Sequence, residues 1–257
     1  MSVRKVHIRD SADLQKKLQG PPAVFLSASI PYQRPVPKGM KAADRKRFVE
    51  TNNRYLEDAR PVQIRSAVVA LTRSLLMRGM RLVFGAHPAI SPIVLSVARD
   101  LQTEGTEPRI IIFQSQYFES ELPASTLDLA SWEAGLLVFT PVVIKGTRRD
   151  DWRRPSLDLM RELMVSTPNL RAALFIGGME GVAAEAMLFR KHNPGKPIIP
   201  LASTGSAAAE LWEDSEQWEV APKAESPLAH LQYNPSYSLV AEHILGELGI
   251  EDPSRGA

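Results

Sequence analysis

The sequence predicts an α/β fold in which a doubly wound, mostly parallel sheet carries helices on both faces. Short apolar runs alternate along the 257 residues with longer segments of helical spacing, the pattern of strands joined by helical crossovers. The runs are apolar at nearly every position, which is typical of strands buried on both faces. Small and polar residues follow most runs, at the edge of such a sheet where ligands bind.

The short apolar runs are the predicted strands of the sheet. In chain order they are Ala23 to Ser29, Arg81 to Phe84, Arg109 to Phe113, Leu136 to Phe139, Ala172 to Ile176 and Pro197 to Leu201. The predicted helices between and after them are Val62 to Arg78, Pro92 to Gln102, Pro155 to Val165, Gly181 to His192, Ala207 to Trp212 and Tyr237 to Leu248. The first helix shows the basis for all of them: it follows Pro61, ends at Gly79, and places its leucines and valines along one side.

Two segments lie outside this alternation. Residues 31 to 60 are rich in proline and basic side chains, and we expect a long functional or mobile loop there. The end of the chain, residues 251 to 257, is expected to fray. No linker divides two cores, so the sequence predicts one domain over 1–257, with a core at about 20–215 and a C-terminal helical segment at 225–250.

Composition excludes several classes of site and partner. The net charge is +2 and 44% of the residues are hydrophobic, values of an ordinary globular protein with no electrostatic preference for nucleic acid or membranes. The chain has no cysteine, which excludes disulfides, thiolate zinc sites and a cysteine nucleophile. The polar first residues do not resemble a signal peptide and no apolar run is long enough to span a bilayer, so a cytoplasmic location is expected.

Four turns that follow predicted strands are the candidate ligand site. Glycine and serine turns at helix N-termini expose backbone N–H groups that suit phosphate. One such turn alone is more readily explained as a structural cap, but four turns after four core strands favour a common ligand edge. The candidate ligand-binding residues are Ser27, Ser29, Gly85, His87, Ser91, Gly177, Gly178, Met179, Glu180, Gly181, Thr204, Gly205 and Ser206.

Several side chains near these turns have more than one interpretation. His87 can contact a ligand, act as an acid or base, or stabilise its own loop, and no second ligand at suitable spacing supports a metal site. Glu180 is expected to face the ligand, whereas Glu185 either binds ribose or is the candidate catalytic residue. Tyr117 can stack on a base or belong to the core.

Three basic side chains also have two interpretations. Arg34, Lys38 and Arg65 can either reach a phosphate or lie on a solvated face.

At these residues the sequence resembles the SLOG superfamily of Rossmann-like proteins, which includes the lysine-decarboxylase-like proteins that activate cytokinins. More narrowly, it is similar to the SLOG families encoded beside TIR proteins in bacterial defence loci. The resemblance rests on Ile64 to Pro92, with its G-x-H-P-x-I-S-P loop, on Ala173 to Glu185 (ALFIGGMEGVAAE) and on Pro200 to Ser206, with weaker support from Ser156 to Met164. It spans residues 23 to 210.

The resemblance implies a nucleotide ligand, NAD-derived or ADP-ribose-like, without a tightly bound cofactor. It also implies a separate TIR-domain partner in antiphage signalling and a homo-oligomer. The enzymatic branch of the superfamily carries a Gly-Gly-x-Gly-Thr-x-x-Glu turn and a supporting arginine. Here Met179 and Glu180 separate the glycines, Val182 stands in place of the threonine, and the sequence does not locate the arginine.

Three functions therefore stay open. The first is a nucleotide sensor or accessory subunit, favoured because the sequence shows no convincing nucleophile, metal site or acid–base pair. The second is a hydrolase of N-glycosidic bonds that uses Glu185 or Glu180. The third is a scaffold for a TIR partner, with the apolar side of the last helix (Tyr237, Val240, Ile244 and Leu248) as an interface or simply as core.

Overall fold

The computed structural model describes residues 3–37, 39–101, 108–132, 134–214 and 233–251. Its strands are β1 (Lys5–His7), β2 (Ala23–Ser29), β3 (Arg81–Gly85), β4 (Ile110–Ser115), β5 (Gly135–Thr140), β6 (Leu170–Gly177) and β7 (Ile198–Leu201). Its helices are α1 (Ser11–Lys17), α2 (Ala42–Glu57), α3 (Pro61–Met77), α4 (Ser91–Asp100), α5 (Ala124–Ser131), α6 (Asp150–Val165), α7 (Glu180–His192), α8 (Ser206–Glu213) and α9 (Tyr237–Glu247). Short 3-10 turns occupy Gln116–Glu121 and Ala202–Thr204.

The described strands form one seven-stranded sheet in the order β1-β5-β4-β3-β2-β6-β7. Every neighbouring pair is parallel, so the predicted α/β fold class is confirmed. The chain leaves β2 toward β3 on one side and leaves β6 toward β7 on the other. Strand order therefore reverses between β2 and β6, the place where an open parallel sheet leaves a crevice for ligands.

Two apolar layers explain why the strands are hydrophobic at every position. Val24 and Leu26 of β2 pack with α3, α4, α5 and α9 on one face of the sheet. Phe25 of the same strand packs with α1, α6, α7 and α8 on the other. Successive side chains of a strand point to opposite faces, and here both faces are covered by helices.

The last helix lies within the first of these layers. Tyr237, Val240 and Ile244 are all less than 5% exposed and pack against the core of that face. Of the two interpretations of this apolar side, the structure shows core packing. Residues 225–232 of the predicted C-terminal segment and residues 252–257 of the expected frayed tail lie outside the described residues.

The prediction of one continuous loop from 31 to 60 is wrong, because α2 (Ala42–Glu57) occupies more than half of it. The helix has no apolar stripe in its sequence: its buried residues are Asn52 and Tyr55, and most others are exposed. Hydrophobic periodicity therefore carried no signal for it. The short edge strand β1 and the helices α1 and α5 were missed as well.

Candidate functional site

A cleft of about 480 Å³ opens beyond the carboxyl ends of β2, β3 and β4. Its size is in the range of small-molecule sites. Helices α6 and α7 form one wall, and the segment after β2 forms part of the rim. The predicted site residues that line it are Ser27, Ser29, Gly85, His87, Met179, Glu180, Gly181 and Glu185. Residues from separate turns are thus brought to one edge of the sheet.

The N-terminus of α7 faces this cleft without a capping side chain. The helix begins at Glu180, and the side chain of its N-cap residue, Met179, makes no capping hydrogen bond. The turn before it depends on glycine, since Gly178 has φ +93 and an added Cβ would lie 2.1 Å from the Val182 side chain. The Gly178 N–H donates to the Ser29 carbonyl at 2.9 Å. The Val182 N–H already donates to the Met179 carbonyl at 2.9 Å, so the N–H groups of Glu180 and Gly181 are the donors beside β2 that an anion would meet at the positive end of the helix dipole.

An arginine, a glutamate and a serine form a connected group in the cleft. Arg161 Nε lies 3.2 Å from Glu185 Oε1, and the Ser27 hydroxyl donates to Glu185 Oε2 at 2.5 Å. The side chains of Arg161 and Glu185 are 22% and 15% exposed. Burial raises the pKa of Glu185, and the charge of Arg161 and the hydrogen bond from Ser27 oppose that increase. Glu185 is a carboxyl group in a low-polarity site with one cation, an arrangement common at acid–base positions.

The raised pKa gives a stability prediction. Because folded Glu185 holds its proton more tightly than the unfolded chain, it favours folding most below the ordinary value of 4.5. That contribution is lost as pH rises through the folded pKa. We expect Glu185→Gln to remove this pH-dependent contribution. The free energy of unfolding in urea, taken as wild type minus variant, should then decline as the pH rises. Glu121→Gln, in the same cleft, is the control; a parallel slope in both variants would contradict the assignment to Glu185.

A second ion pair crosses the rim of the cleft. Arg34 Nη2 lies 2.7 and 2.8 Å from the two carboxylate oxygens of Glu180. Arg34 Nε also donates to Asn52 at 3.1 Å, and its guanidinium lies 5.1 Å from the ring centre of Phe48. The segment after β2 and helix α2 are in this way attached to the start of α7.

The other basic residues considered from the sequence are not at this rim. Arg65 lines a separate groove between α3 and the start of α9, and Lys38 lies outside the described residues. Of the phosphate candidates, the structure brings Arg34 to the cleft.

His87 lines the cleft and also supports its own loop. Its Nδ1 accepts a hydrogen bond from the Ala89 N–H at 3.2 Å. Burial lowers the pKa of His87, which favours the neutral ring. Because Nδ1 accepts the bond from Ala89, the proton of the neutral ring lies on Nε2. Loop support is thus observed, and Nε2 keeps a donor for a ligand. Within the described part of the chain, no cluster of three or more His, Asp or Glu side chains could hold a metal.

The turn between β7 and α8 does not line the cleft. The Thr204 hydroxyl accepts from the Gly177 N–H at 2.8 Å and donates to the Leu201 carbonyl. The Ser206 N–H donates to Asp58 Oδ2 at 2.6 Å, so a carboxylate of this chain already occupies the N-terminus of α8. Thr204, Gly205 and Ser206 have contacts within the protein rather than with the cleft.

Three further predicted residues also lie behind the cleft wall. Ser91 is fully buried and accepts a hydrogen bond from Thr126 at 3.0 Å. Gly177 and Gly178 are buried and shape the turn before α7 without lining the cleft. The two glycines orient the residues of α7 that follow them toward the cleft.

The lining residues that were not among the predicted site residues include Gln114, Phe118, Arg153 and Arg161. A signal existed for Arg161, a charge on the side of α6 that also carries the buried Met160 and Met164. Tyr117, considered from sequence as a stacking residue, is only 8% exposed and packs against Phe118. Its neighbour Phe118 lines the cleft instead.

A comparison with known families finds one match. The model described as the SLOG cluster3 family matches residues 54–234, which include α3, the turn before α7 and most of the cleft lining. No curated protein matches the sequence. The match suggests a function related to nucleotides. In the described residues, no helix is long and apolar enough to cross a membrane.

Proposed function

Because the chain belongs to the SLOG cluster3 family, we propose that its cleft binds a nucleotide derivative of the ADP-ribose type and that the protein acts as a sensor or accessory subunit. The observation that carries the proposal is the uncapped N-terminus of α7, which opens into the cleft between Arg34 and Arg161. Two guanidinium groups and a free helix N-terminus make this the most suitable place for a phosphate among the described residues.

The contrast with α8 supports this assignment. Both helices follow a glycine turn at the same edge of the sheet, but the first N–H of α8 is bound by Asp58. The first turn of α7 contains Glu180, but that carboxylate pairs with Arg34, and the N-cap residue makes no side-chain hydrogen bond to the turn. A phosphate at α7 would supply the missing acceptor, and Glu180 beside it has two oxygens for the hydroxyl groups of a ribose.

Sensing would use the ion pair between Arg34 and Glu180. A ligand that binds at the start of α7 has to share or replace this pair, because both side chains line the same cleft. Any shift of Arg34 reaches α2 through Asn52 and Phe48. We propose that a partner, a TIR-domain protein in bacterial antiphage defence, detects this change, and that the sensor works as a homo-oligomer in the cytoplasm.

The proposal is tested by thermal unfolding of the purified chain with NAD, ADP-ribose, cyclic ADP-ribose isomers and AMP. A ligand at about 100 times its dissociation constant is expected to stabilise the fold by about 2.7 kcal/mol. A positive ligand is then added to a mixture of the chain with a purified TIR-domain protein from the same organism, and co-elution is followed. A lack of stabilisation by every nucleotide would contradict ligand binding, and binding without any effect on a TIR protein would contradict the sensor role.

The Arg161–Glu185–Ser27 group favours a second candidate, hydrolysis of an N-glycosidic bond. Glu185 would accept a proton from water as the water oxygen bonds to the anomeric carbon and the bond to the base breaks, with the proton passing to the departing base. Free base released from a nucleotide is measured by chromatography. Activity lost in Glu185→Gln and kept in Glu121→Gln would support an enzyme; no release across a nucleotide panel would exclude it.

A further inference from the structure

The end of β4 carries a buried polar side chain that the proposed phosphate site does not use. Gln114 is 8% exposed and lines the cleft. Its Oε1 accepts a hydrogen bond from the Ser115 N–H at 3.0 Å. Because that backbone group can only donate, the amide orientation is fixed and Nε2 is the free end.

Within the described part of the chain, Nε2 of Gln114 has no hydrogen-bond partner. Nε2 is not among the fully enclosed side-chain atoms that lack a partner, so it is open to the cleft and can donate to a molecule that enters. Oε1 also has a second lone pair. The side chain therefore offers one donor and one acceptor side by side to whatever enters the cleft.

An aromatic side chain lies in the 3-10 turn that follows β4, four residues after Gln114. Phe118 lines the cleft, and the Arg153 guanidinium lies 5.5 Å from its ring centre. Arg153 has no ion pair among the described residues, although it lines the same cleft. The remaining lining here includes four apolar residues, Pro88, Ile90, Pro123 and Leu157, and one carboxylate, Glu121. A flat ring with polar edges fits such a wall better than a second phosphate does, because stacking on aromatic and guanidinium planes is how bases are held.

The spacing of the strands sets the distance between the two ends of the cleft. The phosphate site lies at the start of α7, which follows β6 and contacts the end of β2 through Gly178, and Gln114 lies on β4. Two to three strand steps of about 4.8 Å put these ends about 10–14 Å apart. This separation is comparable to the span of a nucleotide from its phosphate to the far edge of its base.

We propose that the end of β4 is the base-binding part of the cleft and that it selects adenine: Phe118 stacks on the ring and the Gln114 amide pairs with its edge. The proposal rests on the proposed nucleotide function. Adenine offers an acceptor nitrogen beside an amino group, which matches the donor and acceptor of Gln114. Guanine offers two acceptors at the corresponding edge, one of which would face Oε1.

The test is calorimetric titration of the full chain with AMP, GMP and ribose 5-phosphate. We expect AMP to bind about tenfold or more tightly than GMP. Phe118→Ala is expected to weaken AMP about tenfold or more and to leave ribose 5-phosphate unchanged. Gln114→Glu keeps the acceptor for Ser115 and removes the donor, so it should weaken AMP selectively. Gln116→Glu, two residues away and outside the lining, is the matched control.

Each other outcome overturns the inference. Equal affinity for AMP and GMP would exclude selection by Gln114. An equal loss of AMP and ribose 5-phosphate in Phe118→Ala would mean that the ring only shapes the cleft. Tight AMP binding that neither variant changes would leave the nucleotide function standing and place the base elsewhere, whereas no binding of any probe would remove the nucleotide function together with this inference.

Discussion

Gly181→Asp is expected to abolish binding of phosphorylated ligands while the protein stays folded. Gly181 lies in the first turn of α7 with an ordinary negative φ, and an added Cβ would meet only the end of Arg161, 3.0 Å from a guanidinium nitrogen. The new carboxylate would compete for the groups proposed to hold phosphate. At about 5 Å and an effective dielectric constant of about 20, its repulsion of a unit charge is about 3 kcal/mol, or about 100-fold in affinity.

The fold is expected to tolerate this change because an acidic residue in the first turn complements the helix dipole. Gly181→Ala is the control, since it introduces the same Cβ without charge. Titration with ADP-ribose and urea unfolding of both variants separate the two effects. Full affinity in Gly181→Asp would show that the phosphate does not bind at α7; equal loss in both variants would assign the effect to size.

Gly205→Ala is expected to produce the largest loss of stability among single substitutions considered for this edge of the sheet. Gly205 has φ +72, and a Cβ there would lie 2.0 Å from the carbonyl oxygen of Asp58. That oxygen belongs to the backbone at the end of α2, so it cannot rotate away as a side chain would. We expect a loss of about 4 kcal/mol or more in the free energy of unfolding, measured with urea.

Gly195→Ala separates backbone strain from the steric overlap. Gly195 has φ +76, close to that of Gly205, but nothing lies within 4 Å of its added Cβ. Strain alone is expected to cost about 1–2 kcal/mol. If both variants lost the same amount, the contact between Gly205 and Asp58 would not be tight, and the connection from α2 to α8 would have to be more adaptable than its geometry indicates.

The fold was predictable where burial leaves a repeating trace in the sequence. β2 is apolar along most of its length because Val24 and Phe25 meet helices on opposite faces of the sheet, and that pattern needs no knowledge of the topology. The exposed helix α2 left no such trace, since its stability comes from contacts such as that of Asn52 with Arg34 rather than from a stripe of apolar residues.

The candidate site, too, was predictable only where a feature depends on local sequence. The glycine turn before α7 could be read from the sequence because only glycine accepts the φ of Gly178 without strain. The partners of Glu185 could not be read in the same way: Ser27 is 158 residues away and Arg161 is 24 residues away. Two chemically similar turns also have different surroundings in the fold. The turn before α7 opens to the cleft, whereas the N-terminus of α8 is bound by Asp58.

The sequence by itself therefore determined the fold class, the family resemblance and the strand ends near which a ligand would bind, because these depend on local pattern and on the parallel direction of the strands. Only the tertiary structure decided which turns line the cleft, that Arg161 and Ser27 meet Glu185, and that Phe118 rather than Tyr117 reaches the ligand side. These features depend on the packing of segments far apart in the chain, and no local periodicity encodes which distant side chain will fill a given space.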